Sequence, residues 1–115
     1  MSRTRKVILV EGNPLNDVLD VSKNFLRSNG FSIRESGNEL ICTRGKGLLT
    51  AQQRFILRFY QQDDQNVRIE GEFFTIAFYF MESTLEAKAL FGAIPRRKGY
   101  ELMQNFIARV NGKVL

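Results

Sequence analysis

The chain has 115 residues, a mass of 13.3 kDa and a formal net charge of +5, which fits one domain and excludes two of ordinary size. Its 43% hydrophobic and 25% charged residues are typical of a folded globular protein and exclude a disordered chain. A single cysteine excludes an internal disulfide, and the lack of histidine removes the commonest general base and metal ligand. We therefore expect one domain over residues 1–115 that holds no metal and no cofactor.

The N-terminal residues are basic, and only residues 7–10 follow them as an apolar run. A signal peptide needs about 7 to 15 apolar residues at that place, and a membrane span needs about 18. We therefore expect a cytoplasmic protein with no membrane span.

The first elements are a strand and a helix. Residues 6–11 form a short apolar run typical of a strand. Asn13 and Pro14 then predict a helix start, with Asn13 as the N-cap and Pro14 in the first helical position. Apolar residues follow at a spacing of three and four as far as Leu26, and Gly30 is a typical left-handed stop.

The middle of the chain reads as strands. Residues 31–35 and 39–44 alternate around a Gly-Asn turn and predict a hairpin. Residues 54–60 and 67–80 are rich in β-forming residues and are separated by a polar turn. The second of these runs fits either one long strand bent at Gly71 or two strands that meet near residues 72–74, and the pattern does not separate the two.

Two helices are predicted after the strands. Ser83 and Glu86 have the spacing of a capping box and predict a short helix to about Phe91. A longer helix is expected from about Lys98 to Val110, with Gly112 as its stop.

The predicted fold is an α+β domain with a single antiparallel or mixed sheet of about five strands and two main helices on one face, in the order β-α-β-β-β-(β)-α. This order resembles the half-repeat of the TATA-box-binding-protein fold, which runs strand, helix, four strands, helix. The resemblance concerns topology alone and implies no functional residue.

Strand alternation predicts what the uncovered face of the sheet would carry. If Phe55, Leu57 and Phe59 point toward the helices, their neighbours along the strand point away. The outward positions then include four arginines, Arg34, Arg54, Arg58 and Arg68. An arginine-rich sheet face is compatible with nucleic-acid binding, and this is our alternative functional prediction.

Few residues point to catalysis. Glu70 and Glu72 share one face of a strand, where they could act in acid–base chemistry, but Arg68 on the same face favours an ordinary cross-strand salt bridge. Cys42 lies within a predicted strand and is expected to be a buried, inert thiol. We therefore expect that the chain is not an enzyme.

Arg96, Arg97 and Lys98 are three consecutive cations at the predicted start of the last helix. Positive charge opposes the dipole at a helix N-terminus, so the cluster is either an anion-binding site for an acidic protein or a nucleic acid, or a charged loop outside the helix.

Residues 73–80 are apolar on both faces of a strand, and such a strand is normally covered on both faces. The second cover is either another part of the chain or a second copy. The second alternative predicts a homodimer with Phe74, Phe78 and Tyr79 at its interface. The favoured functional prediction is therefore a small, self-associating interaction module.

Overall fold

The computed structural model describes residues 3–45, 52–77, 81–84 and 93–115, and the side chains of residues 3–45, 52–76 and 97–115. The secondary-structure elements in chain order are β1 (Thr4–Glu11), α1 (Leu15–Ser28), β2 (Ser32–Ser36), β3 (Glu39–Arg44), β4 (Gln52–Gln61), β5 (Asn66–Ala77), β6 (Met81–Thr84), α2 (Ala93–Arg109) and β7 (Gly112–Val114).

The strands form one antiparallel sheet in the order β2-β3-β4-β5-β1-β7. The short strand β6 pairs with the last residues of β5, beyond the end of its pairing with β1. The predicted α+β class, the order of the main elements and the single sheet are confirmed. The sequence underestimated the number of strands, because β6 and β7 are only four and three residues long.

Both helices pack on the same face of the sheet. One hydrophobic core joins α1, through Val18 and Leu26, to α2, through Met103 and Phe106, and to alternate residues of the strands. The strand residues in this core are Ile8, Val10, Leu40, Cys42, Phe55, Leu57, Phe59, Val67, Ile69 and Phe73. The predicted alternation is thus confirmed in β3, β4 and the first part of β5, and neither α1 nor α2 packs on the opposite face of these strands.

The start of α1 differs from the prediction by one residue. Pro14 is the N-cap, and the helix begins at Leu15. The Asn13 side chain donates a hydrogen bond to the Glu11 carbonyl instead of capping the helix, because the extended backbone at Pro14 shifts the first turn onward. The end agrees with the prediction: Gly30 has a φ of 86° and follows the last turn.

The run that allowed two interpretations is a single strand over residues 66–77. Gly71 lies within it, directly under the aromatic ring of Phe73. A Cβ atom at Gly71 would come within 2.6 Å of that ring and 3.3 Å of the Leu57 Cδ2 atom. Glycine at this position therefore allows the ring to lie flat on the strand.

The capping-box prediction at Ser83 is wrong, because Ser83 belongs to β6 and pairs with Thr75. The rest of the predicted short helix lies outside the described residues. The long helix begins at Ala93, five residues before its predicted start, with Pro95 in its first turn, where the missing N–H has no helical partner in any case.

The end of α2 also differs from the prediction. The left-handed residue that stops it is Asn111, with a φ of 57°. Gly112 opens β7 and packs so closely on β1 that an added Cβ would overlap the Ile8 side chain. Within the described residues, neither helix is long and apolar enough to cross a membrane.

Candidate functional site

Among the described residues, no helix covers the sheet face opposite α1 and α2. We define the open face as the side chains of β1–β5 that point away from the core. Its residues are Arg5, Val7 and Leu9 of β1, Ser32, Arg34 and Ser36 of β2, Glu39, Ile41 and Thr43 of β3, Arg54, Ile56, Arg58 and Tyr60 of β4, and Arg68, Glu70, Glu72 and Phe74 of β5. Arg3, which precedes β1, adds a further guanidinium to this face.

Arg58 lies near the middle of the open face and binds carboxylates on both neighbouring strands. Its Nε atom is 2.8 Å from the Glu39 carboxylate on β3, and its Nη1 atom is 3.4 Å from Glu72 on β5. The hydrogen bond with Glu39 is the main reason that the pKa of Arg58 is raised. The guanidinium thus joins three strands through their side chains.

Glu72 is the centre of a larger network. Its oxygens lie 3.2 Å from Arg3, 3.6 Å from Arg5 and 3.4 Å from Arg58, and its side chain is only 15% exposed. The Arg3 guanidinium also lies 4.2 Å from the centre of the Phe74 ring, in a cation–π contact. One carboxylate therefore holds guanidinium groups from both sides of β5.

The remaining arginines of the open face are held less tightly. Arg68 contacts Glu70 at 3.3 Å and lies 5.2 Å from the Tyr60 ring. Arg54 donates a hydrogen bond to the Gln52 side chain at 2.8 Å. Arg34 is exposed and makes no ion pair within the part of the chain that the structure describes. The face therefore keeps cations that its own carboxylates do not neutralise.

Aliphatic side chains lie between the charges. Ile41 and Ile56 are direct cross-strand neighbours at the centre of β3 and β4, and both are half-buried. Val7 is 37% and Tyr60 39% exposed. The open face thus combines arginines, carboxylates and apolar surface, a mixture that suits macromolecular contact better than contact with water alone.

The structure brings together all four sheet arginines that the sequence predicted for this face. Sequence reasoning treated Arg3 and Arg5 as part of a separate basic N-terminal cluster with Lys6 and did not place them on this face, although continuing the alternation of β1 from Leu9 and Val7 would have done so. It predicted a cross-strand salt bridge for Arg68, Glu70 and Glu72. Arg68 instead contacts Glu70 within β5, whereas Glu72 pairs across strands with Arg5 and Arg58.

The structure does not bring the second cationic cluster near the open face. Arg97 and Lys98 are exposed on α2, which packs on the opposite face of the sheet. For Arg96 only the backbone is described, within the same helix. The interpretation of these residues as a loop outside the helix is therefore wrong, whereas their binding of anions stays a prediction.

The residues predicted for self-association fall into two groups. Phe74 points to the open face but is fully buried within the chain, beneath Arg3. Phe78 and Tyr79 lie outside the described residues.

The core face carries the one thiol. Cys42 is fully buried in β3, as predicted, and burial raises its pKa to about 12. A neutral, inaccessible thiol is a poor nucleophile.

The described residues offer little to a metal ion or a small ligand. The described residues contain no group of three or more acidic or cysteine side chains able to hold a metal ion. A cavity of about 80 Å³ lies where the start of α1 meets the end of α2, between Asp17 and Arg109. Drug-sized ligands occupy roughly 300 to 1,000 Å³, so this cavity is too small for them. No known protein-family model matches the chain, and no curated protein matches it in sequence.

Proposed function

We propose that this chain is a non-enzymatic interaction module that docks a macromolecular partner on its open face. The observation that carries the proposal is the composition of that face. A sheet surface that only faced water would be polar and rich in lysine, whereas this one presents arginine guanidiniums around half-buried Ile41 and Ile56. Arginine and apolar side chains are enriched at protein interfaces, and lysine is depleted there.

Rigidity of the surface also supports docking. The guanidiniums of Arg3, Arg5 and Arg58 are held by Glu72 before any partner arrives. Side chains that are already ordered lose less conformational entropy on binding, which favours affinity. An antiparallel sheet beneath them fixes their spacing.

Nucleic-acid binding is the second candidate, and the gathering of Arg34, Arg54, Arg58 and Arg68 on one face favours it. Two features weigh against it. Carboxylates of Glu39, Glu70 and Glu72 interleave with the arginines and would repel phosphates. Base stacking needs accessible rings, and of the two aromatic side chains on the described open face, Phe74 is fully buried.

A substitution at the centre of the open face tests the proposal. Ile56→Glu places a charge in the middle of the docking surface, and Ala108→Glu, at an exposed position of α2, is the matched control. Binding should be measured for the wild type and both variants toward a second copy by sedimentation, and toward single-stranded RNA and duplex DNA by fluorescence anisotropy at two salt concentrations.

We expect binding in at least one of these assays, at least tenfold weaker in the Ile56→Glu variant and unchanged in the Ala108→Glu variant. A steep decrease of affinity with salt would identify a phosphate polymer as the partner. Wild-type binding in none of the assays, or equal binding by both variants, would contradict the proposal.

A further inference from the structure

The cross-strand register arranges the open face of β2–β5 in rows of complementary character. One row runs Arg34, Ile41, Ile56, Glu72 from β2 to β5. The next runs Ser36, Glu39, Arg58, Glu70. In the first row the outer positions have opposite charge and the inner positions are both isoleucine. In the second row the two inner positions have opposite charge.

Such rows are self-complementary. Consider a two-fold axis that lies parallel to the strands, above the open face and midway between β3 and β4. This rotation reverses each row, so that Arg34 of one copy lies over Glu72 of the other and Ile41 lies over Ile56. Glu39 likewise lies over Arg58, which completes an alternating square of two carboxylates and two guanidiniums around the axis.

Other positions of the axis lose this match. An axis above β4 places Arg54 and Arg58 over the same two arginines of the other copy, so that like charges meet. An axis above β5 brings Glu70 and Glu72 over the same two glutamates in the same way. An axis between β4 and β5 places Ile56 over Glu72. Only the position between β3 and β4 pairs isoleucine with isoleucine and keeps like charges apart in both rows.

We infer that the partner docked on the open face is a second copy of this chain, related by the two-fold axis between β3 and β4. The inference rests on the proposed function and names its partner. Stacked sheets lie about 10 Å apart with their strands within about 30° of each other, so arginine and glutamate side chains reach across the gap. An isologous contact of this kind closes as a dimer.

The expected contact is small. Four strands at about 4.8 Å and five residues at about 3.4 Å each give a patch of roughly 19 by 17 Å. This is below the standard interface of about 800 Å² per partner, so we expect a transient dimer with a dissociation constant in the micromolar range.

Charge reversal at Arg34 and Glu72 provides the test, because each homodimer of a single variant brings like charges together at two places. In a mixed dimer of one R34E chain and one E72R chain, the new glutamate at position 34 faces the new arginine at position 72. At the other contact, Glu72 of the first chain faces Arg34 of the second, as in the wild type. Both contacts of the mixed dimer are therefore attractive. R27E, which reverses an exposed cation of α1 away from the open face, is the control.

Sedimentation between about 10 µM and 1 mM should show a dimer for the wild type and for the R27E variant. Dimerisation should be at least tenfold weaker for R34E alone and for E72R alone, and the 1:1 mixture of these two variants should recover the wild-type dimerisation. Because Glu72 also binds three arginines within its own chain, E72R could disturb folding. Cross-linking of an I41C chain to an I56C chain by a short bis-maleimide therefore tests the same axis independently, since a single chain contains only one of the two new thiols and Cys42 is buried.

A wild type that stays monomeric at 1 mM, a dimer unaffected by R34E, or no cross-link between I41C and I56C chains would overturn the inference. The failure of this inference can be distinguished from failure of the proposed function. If the chain is monomeric but binds a nucleic acid, and the Ile56→Glu variant does not bind it, the open face is still the docking surface and the second copy is excluded as its occupant.

Discussion

Cys42 makes stability at alkaline pH a sensitive test of the core. Burial in β3 raises the pKa of its thiol from the usual 9.0 to about 12. Between these values the thiol of the unfolded chain loses its proton, whereas that of the folded chain keeps it. The contribution of this thiol to the free energy of unfolding is therefore complete below pH 9, and it is lost progressively as the pH rises from 9 toward 12.

The loss can be worked out for one convenient pH. One pKa unit corresponds to about 1.4 kcal/mol, so at pH 10 the wild type should have lost about 1.4 kcal/mol of unfolding free energy through this thiol. Cys42→Ala removes the titration and leaves a small void, which costs about 1 to 2 kcal/mol at every pH. Tyrosines and lysines titrate alike in both chains, so they cancel in the comparison.

Urea unfolding of both chains at pH 7 and pH 10, with a reductant present, measures the difference. The advantage of the wild type over Cys42→Ala should shrink by about 1.4 kcal/mol between the two pH values. Labelling of the native thiol by a disulfide reagent should also be slow and should accelerate on unfolding. An advantage that is the same at both pH values, or rapid labelling of the native protein, would refute the assignment of Cys42 to the core.

Two further substitutions test local features. Gly71→Ala forces a Cβ against the Phe73 ring and should lower the free energy of unfolding in urea by about 1 to 3 kcal/mol. Ser36→Ala, at an exposed position of β2, is the control, and equal stability of the two variants would contradict the close packing at Gly71. Replacing Arg96, Arg97 and Lys98 together by Gln removes cations from the fourth to sixth positions of α2, where the dipole effect is already falling off, and should raise the free energy of unfolding in urea by at most about 0.3 kcal/mol. A loss of stability on that replacement would show that the three cations stabilise the helix through contacts of their own.

Strand alternation predicts the two faces of the sheet because it depends only on neighbours along the chain. In β4 the sequence alternates without interruption, and every predicted inward and outward position is confirmed. The four arginines of the open face follow from the same rule. The same alternation, continued from Val7 toward the N-terminus, reaches Arg5 in β1 and then Arg3 just before it.

Features set by distant partners were not predictable in this way. Ser83 and Glu86 have the local spacing of a capping box, but pairing with β5 draws Ser83 into a strand. The Glu72 network combines residues 3, 5, 58 and 72, and their meeting depends on the register of three strands. Local sequence contains neither the pairing nor the register, so the arginines were predictable, whereas the partners that they find on neighbouring strands were not.

The carboxylates of the open face separate its two candidate functions. A phosphate polymer must displace Glu39 from Arg58 and Glu70 from Arg68 before it can use these guanidiniums, and those pairs are already formed at 2.8 Å and 3.3 Å. A second copy meets no such competition, because its own carboxylates and guanidiniums extend the existing alternation. The same arginines can therefore favour one partner and reject the other.

Neutralising Glu39 and Glu70 should reverse this preference. The double substitution to Gln frees Arg68 from its ion pair, leaves Glu72 as the remaining carboxylate beside Arg58, and raises the formal net charge from +5 to about +7. Loss of Glu39 from each copy also removes both carboxylates from the square at the two-fold axis, so dimerisation should weaken. Binding to single-stranded RNA at low salt should strengthen at least tenfold and become steeply salt-dependent. Replacing Asp17 and Asp20 by Asn on α1 changes the charge equally and is the control. If that control gained the same RNA affinity, net charge alone would explain the effect, and the carboxylates of the open face would have no part in selecting its partner.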